Sequence, residues 1–446
     1  MKDYTASRLP FSLTLCLLLV AFVFGGGGVS SALPNLVVQL VALLVISLSS
    51  GGTAKFWRDS PIGLRVLIAS SLALPILQII PLPESIWSAL PGRSLVARAL
   101  EQAGGSKWTP FSVDPLRTLL ALSALITPLA VLSVGWTLRR EQLINLGWAV
   151  AVMGIVTVLL GAIQLSTATD SSTFYGSRAP GRILLGTFAN RNSTGLFLTF
   201  TLGLVALLPV PRPHPAILLG RLAICALLLI AVVLTQSRTA LVIAILPIAL
   251  GMLRAFGSLR QTHQAKFSAR TAMIGLGALA LLGTIASAVV IASPDRITAT
   301  LERFEAKDDP RRFIWDDASF SAKRYWPAGA GMGTFDEIYQ VDESLENLTP
   351  RRAGRAHNDY IELAIEAGGP GLALSAAWLI FIGWLSWRAR LSSQRWVAWA
   401  GSAFLLAIAL QSSTDYPLRN QTILAFAAFA LLLLTRVATD RARTNS

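Results

Sequence analysis

The chain has 446 residues and a formal net charge of +14, yet 53% of its residues are hydrophobic and only 14% are charged; its mean hydropathy is +0.59. A soluble globular domain carries roughly 25% charge, so this composition excludes an ordinary soluble protein. The positive excess sits in short joins between apolar blocks, without a recognition helix or an aromatic-basic module, which argues against a nucleic-acid partner.

In chain order, apolar blocks near the roughly 20 residues needed to cross the hydrocarbon layer fall at 9–24, 33–50, 61–80, 116–138, 143–165, 193–210, 215–235, 239–256, 271–293, 360–386, 396–413 and 421–435. They predict an all-α polytopic membrane protein with about twelve transmembrane helices, because a helix satisfies its own backbone in lipid and an open strand edge does not. Block 61–80 contains Arg65, Pro75 and Gln78 and also fits a partly interfacial helix. The first block resembles a signal peptide, but the many later crossings favour a retained helix. Basic residues favour short cytoplasmic loops. Lys2 and Arg8, Lys55 and Arg58, Arg139 and Arg140, Arg212, Arg254 through Arg270, Arg388 through Arg395, and the tail after Arg436 all fall on one side, which places both termini in the cytoplasm. Cys16 and Cys225 lie inside apolar blocks and read as small buried hydrophobic residues.

The longest polar excursion, 294–359, divides the chain into N-terminal membrane helices (1–293), a large periplasmic loop (294–359), and C-terminal membrane helices with a cytoplasmic tail (360–446). A loop of that length is usually functional or disordered. Its aromatic and aliphatic content, including Phe313, Trp315, Phe320, Tyr325 and Trp326, favours folding back on the membrane domain. The pattern predicts an amphipathic helix over about 310–325, then the turn-rich 327-PAGAGMG-333.

Arginines gather on the side opposite the cytoplasmic set: Arg178, Arg182, Arg191, Arg238, Arg311, Arg312, Arg351, Arg352 and Arg355. Anion binding competes there with interfacial anchoring and ordinary loop salt bridges. Arg238 stands between two strongly apolar runs, where it must snorkel, pair with a carboxylate, or meet a bound anion such as phosphate. Arg312 precedes Trp315 by about one helical turn; it faces a polar cleft or is neutralised by Asp308, Asp309 or Asp316. His357 precedes a helix predicted to begin near Asn358. With Tyr360, Ile361 and Ala364 it approximates one face, away from Glu362 and Glu366. An imidazole can accept a proton near neutral pH, so His357 reads as a catalytic base or as a capping or interfacial residue. His214 and His263 fall on the opposite side. Without HExxH, CxxC or DxD spacing, the residues point to no metal and no cofactor.

The segments 186-GTFANRNSTG-195, 235-TQSRTA-240, 311-RRFIWDDASFSAKRYWPAGAGMGTF-335 and 357-HNDYIELAIEAGGPGL-372, in that order around a long loop, resemble the bacterial O-antigen ligase and O-antigen polymerase superfamily. The resemblance implies a multi-pass enzyme of the bacterial inner membrane with its site facing the periplasm. It further implies metal-independent, inverting glycosyl transfer from an undecaprenyl-pyrophosphate-linked saccharide donor to a lipid, glycan or protein acceptor. By the same resemblance Arg238 and Arg312, with Arg191 less securely, contact the donor pyrophosphate, and His357 activates the acceptor hydroxyl. Ligase-like transfer is the first expectation; a repeat-unit polymerase and a protein O-oligosaccharyltransferase share the chemistry. A transporter or flippase is the rival class, since Gly154, Gly161, Pro209 and Pro247 interrupt apolar blocks, but the ionisable residues collect at one surface and not at mid-membrane.

Overall fold

The computed structural model describes residues 8–105, 107–166, 174–175, 183–210, 215–261, 311–348 and 353–444. The expected crossing at 271–293 lies outside them, as do Arg178, Arg182, His214, His263, Asp308, Asp309, Arg351 and Arg352. The membrane helices are α1 (Arg8–Phe24), α2 (Ala32–Leu48), α3 (Ser50–Asp59), α4 (Ile62–Ile79), α5 (Pro115–Gly135), α6 (Arg140–Ser166), α7 (Arg191–Leu207), α8 (Pro215–Leu234) and α9 (Arg238–Gly257). Two loop helices follow, α10 (Arg311–Tyr325) and α11 (Phe335–Asp342), and then α12 (Asp359–Ala389), α13 (Arg395–Gln411) and α14 (Gln421–Thr444).

The chain is a multi-pass, all-α membrane protein, but the count of twelve crossings is corrected. Among the described residues eight helices are long and apolar enough to span, or nine if α2 and α3 form one broken span. The eight coincide with blocks 9–24, 61–80, 116–138, 143–165, 215–235, 239–256, 360–386 and 421–435. Three other described blocks fall short for separate physical reasons. Block 33–50 ends at Leu48 and the chain bends by 82° into α3. Block 193–210 becomes α7, only 17 residues long and buried along nearly all of its length, with Asn192, Ser193, Thr194, Thr199 and Thr201 inside the protein. Block 396–413 becomes α13, also 17 residues. Apolarity signals removal from water, and both lipid and a protein interior provide that. Cys16 is a smaller correction: it is exposed on the outer face of α1, not buried.

Helix α7 is the axis of the bundle, packed by α6, α8, α9 and α13. Its Phe197 meets Phe426 of α14 at 4.9 Å between ring centroids, and its Phe200 stacks on Phe404 of α13 at 4.1 Å. Each such pair adds about 0.5–1.5 kcal/mol beyond the area it buries. Without a hydrophobic drive between helices in lipid, close approach at small residues carries the packing. Gly401 of α13 rests against the Ala430 carbonyl of α14, and a Cβ there would collide with that oxygen.

The expected loop helix and turn both form. Helix α10 ends at Tyr325, and Gly329, Gly331 and Gly333 turn the chain with positive φ. This turn docks onto the membrane helices through backbone bonds: Ala330 and Gly331 N–H donate to the Ile365 and Glu366 carbonyls, both at 2.8 Å. The smaller excursion after α4 pairs β1 (Pro81–Pro83) with β2 (Trp108–Pro110) and joins the same turn. There the Val113 N–H donates to the Ala330 carbonyl, and the buried Arg93 donates to the carbonyls of Phe111 and Gly329. Replacing Gly401 with Leu should force α13 from α14 at a cost of about 1–3 kcal/mol, read as a lower unfolding temperature in detergent; an unchanged temperature would show that the two helices can separate freely.

Candidate functional site

Four separate segments meet at the end of the bundle where α7 begins. The first ends in His357, whose φ is +52°; with Gln236 (φ +53°) it is one of two non-glycine residues with positive φ among the described residues. Such strain costs of order 1–3 kcal/mol and persists only where the surroundings enforce it. Here Asn358 caps α12, its side chain accepting from the Tyr360 and Ile361 N–H groups at 3.0 and 3.2 Å. The helix does begin where its sequence predicts. His357 lies before it and outside its periodicity, however, so the expected shared face with Tyr360 and Ile361 is not what aims the ring.

The ring is aimed by the turn between α13 and α14. His357 Nδ1 lies 3.2 Å from Asp415 Oδ1, and the imidazole packs on Tyr416 at 5.0 Å between centroids. Asp415 is 1% exposed. Burial pushes its carboxyl up, but the hydrogen bond and charge of His357, a hydrogen bond from Asn192 and the charge of Arg311 together hold it below the usual carboxylate range. An ionised Asp415 can only accept, so the proton between the two groups resides on Nδ1. Nε2, on the far edge of the ring, is left as the basic nitrogen. The Tyr416 phenol is pushed up to about 12, first by burial and then by Asp415, and stays protonated.

The starts of α7 and α9 complete the cluster. Asn190 caps α7 through the Asn192 N–H (2.8 Å), and its amide donates to Asp415 Oδ2 at 3.1 Å. Ser237 caps α9, accepting from the Ala240 N–H at 3.2 Å, while its hydroxyl donates to Asn192 Oδ1 at 2.7 Å. Thr239 and Thr414 share a hydrogen bond of 3.1 Å. Arg191 and Arg238 are therefore the first residues of two helices joined by the Ser237–Asn192 bond, and α7 is tied in turn to Asp415 through Asn190 and Asn192. From the large loop, the Trp315 indole donates to the Ala356 carbonyl at 2.8 Å, which brings the start of α10 beside His357. Arg311 is the arginine there whose charge reaches Asp415; Arg312, next to it, is exposed.

Beneath this layer, Glu362 and Glu366 of α12 are fully buried and Asp359 nearly so. They surround Arg419, from which they lie 3.3, 2.6 and 3.7 Å away. Arg355 adds a second ion pair to Glu362 at 3.0 Å. Among the described residues no group of three or more His, Cys, Asp or Glu side chains has the arrangement to hold a metal ion; the clustered carboxylates here face guanidinium groups.

His357, Arg238 and Arg191 thus belong to segments linked by one chain of hydrogen bonds through Asp415, and Arg312 stands on the helix that Trp315 bonds to Ala356. Sequence reasoning missed Asp415, Asn190, Asn192, Ser237 and Arg419. The available signal was 411-QSSTDYPLRN-420, a polar turn with two charged residues between two apolar blocks, on the same predicted side as His357.

This constellation, an imidazole oriented by a carboxylate near arginines at one end of a helical bundle, has residue types suited to group transfer. The O-antigen ligase family model matches residues 223–376, a stretch containing Arg238, Arg312 and His357; over that part the chain carries an O-antigen ligase domain, and it is a membrane glycosyltransferase-type enzyme. Arg191 and Asp415 lie outside the matched stretch. No curated protein matches the chain. One chain of a solved structure, described as "Structural coordination of polymerization and crosslinking by a peptidoglycan synthase complex", is similar at 16% identity and a TM-score of 0.41, over 87% of this chain and 100% of that one; that likeness is too loose to bear on the site.

The depressed titration of Asp415 has a signed consequence. Its ionised form contributes stability that is present above the unfolded carboxyl value of about 3.9 and lost as pH falls through the lower folded value. The unfolding temperature of Asp415→Asn should therefore lie below that of the parent at pH 6, with the gap narrowing as pH drops below about 4; a gap independent of pH would rule out the charge of Asp415 as its source.

Proposed function

We propose that this protein transfers a saccharide from an undecaprenyl-pyrophosphate carrier to a hydroxyl of a lipid-linked glycan at the periplasmic face of the bacterial inner membrane, as a repeat-unit polymerase or an O-antigen ligase does. The observation that carries this reading is the His357–Asp415 pair set among Arg191, Arg238 and Arg311 at the starts of three helices. Nε2 of His357 takes the proton of the acceptor hydroxyl as its oxygen attacks the anomeric carbon. The bond from that carbon to the pyrophosphate oxygen breaks, the configuration inverts, and the lipid pyrophosphate leaves with the electron pair. Arg191, Arg238 and Arg312 hold the donor pyrophosphate and take up its growing negative charge, a task suited to guanidinium groups because they remain charged at any working pH. The N-terminus of α7 adds the positive end of a helix dipole, with the same electrostatic sign.

The exposed side chain of Arg312 is open to a donor arriving from the membrane, while Arg311 also serves Asp415. The periplasmic placement is supported by the charge asymmetry of the loops: the basic joins that mark the cytoplasmic side leave Arg191, Arg238, Arg312 and His357 opposite them.

His357→Ala, with insertion and fold intact, should lower turnover by about 10²–10⁴-fold on a defined undecaprenyl-pyrophosphate saccharide, followed by mass analysis of products; wild-type turnover would reject the base. Arg238→Ala should weaken donor use by about 10²-fold, with Arg191→Ala and Arg312→Ala measured beside it; donor kinetics unchanged in all three would remove the pyrophosphate contacts. The same assay, supplied with glycan, lipid and peptide acceptors, reads the acceptor from the product mass. A single thiol introduced at Trp326, on a background without Cys16 and Cys225, should react with a membrane-impermeant maleimide from the periplasmic side; labelling only from the cytoplasmic side would overturn the orientation.

A further inference from the structure

The base and its orienting carboxylate belong to segments 58 residues apart, and neither lies on the regular part of a helix. What fixes their relative position is one residue of the turn after α13. We propose that Arg419 is the positioning residue of the site: its guanidinium gathers Asp359, Glu362 and Glu366, and through them sets the segment carrying His357 against the turn carrying Asp415. The proposal rests on the function proposed above.

Each carboxylate ties a different part of the protein to Arg419. Glu362 receives the Ala356 N–H at 2.9 Å and Arg355 at 3.0 Å, and so holds the two residues immediately before His357. Asp359 accepts from the Ser412 hydroxyl at 3.0 Å, and its own N–H donates to the Ser412 carbonyl at 2.8 Å and to the Asp415 carbonyl at 3.3 Å, which fixes the turn that presents Asp415. Glu366 faces the loop: its carbonyl accepts from Gly331 and Gln78, and its carboxylate from the Phe335 N–H. Positions 359, 362 and 366 are spaced three and four apart, so α12 lines up all three toward one partner. That partner is 14% exposed and bonded 2.6 Å from Glu366. Burial alone pulls the guanidinium down, but Glu366, Glu362 and Asp359 outweigh it and hold it above its ordinary value, so Arg419 is a permanent cation.

Three carboxylates face two guanidinium groups, those of Arg419 and Arg355. Removing the charge of Arg419 leaves the cluster beside His357 more negative. The charged groups facing His357 are Asp415, with Tyr416 packed on the ring, from the α13–α14 turn; Arg355, Asp359 and Glu362 from its own segment and α12; and Arg311 from α10, beside the arginines that begin α7 and α9. Additional negative charge among these favours the protonated imidazole. The base form then appears only at higher pH.

Folded Arg419→Gln should lower kcat about tenfold or more, the scale of a small misplacement at a reacting group, with donor KM held within about twofold. The acid limb of its kcat profile should move up by about one pH unit. Arg419→Lys keeps the charge without the planar fork, so it should lose turnover while its acid limb stays at the wild-type position. Glu366→Gln removes a negative charge and should move the limb down. A folded Arg419→Gln with wild-type kcat and an unmoved limb, or with its loss wholly in donor KM, overturns the proposal. Should Arg419→Gln not fold, Arg419→Lys and Glu366→Gln decide, and an unmoved limb in Glu366→Gln overturns it. Full turnover in His357→Ala would instead sink the function, leaving these outcomes separately readable.

Discussion

A carboxylate that is 1% exposed at the end of a membrane bundle keeps its charge only because three segments supply donors or positive charge to it at once. Asp415 receives Asn190 and Asn192 from the start of α7, His357 from the segment before α12, and the field of Arg311 from α10. Without these groups burial would neutralise it. A neutral Asp415 could donate as well as accept, and the imidazole proton would no longer be confined to Nδ1. The tautomer of one histidine therefore depends on the convergence of helices that begin at positions 191, 311 and 359.

That convergence is enforced by contacts with little tolerance. Gly368, with φ +56°, lets the chain kink within α12 where Pro327 crosses it, and a Cβ there would strike the Pro327 carbonyl. The adjacent turn bonds its backbone to residues 365 and 366, which joins the loop to α12 two turns below His357. The buried ion cluster around Arg419 occupies the same level. Removing one partner from such a cluster strands the others at about 3–5 kcal/mol, so the cluster specifies one arrangement of loop, helix and turn more than it adds net stability.

Charge chemistry divides cleanly over the site. Arginines, whose charge does not depend on pH, stand at the starts of α7, α9 and α10, and the single histidine stands between them with a carboxylate behind it. Such a division suits a reaction that needs constant stabilisation of a departing anion and one reversible proton transfer. The two helix starts that carry Arg191 and Arg238 are joined by the Ser237–Asn192 bond, which ties both arginines to the frame that holds Asp415.

The sequence by itself determined the membrane class, the apolar blocks that include all eight spanning helices, the loop helix over about 310–325, a helix starting near Asn358, and the residue types suited to anion and proton. These are local properties: hydropathy, periodicity and capping each depend on residues within a turn or two. Tertiary structure alone decided which apolar blocks face protein and not lipid, as α7 does, because burial in either medium leaves the same composition. It alone decided that His357 answers to Asp415, and that Glu362 and Glu366, apparently on an idle face of α12, close on Arg419 from a turn more than 50 residues further along. Pairings across that distance follow from how the helices pack, and no periodicity within a single helix encodes them.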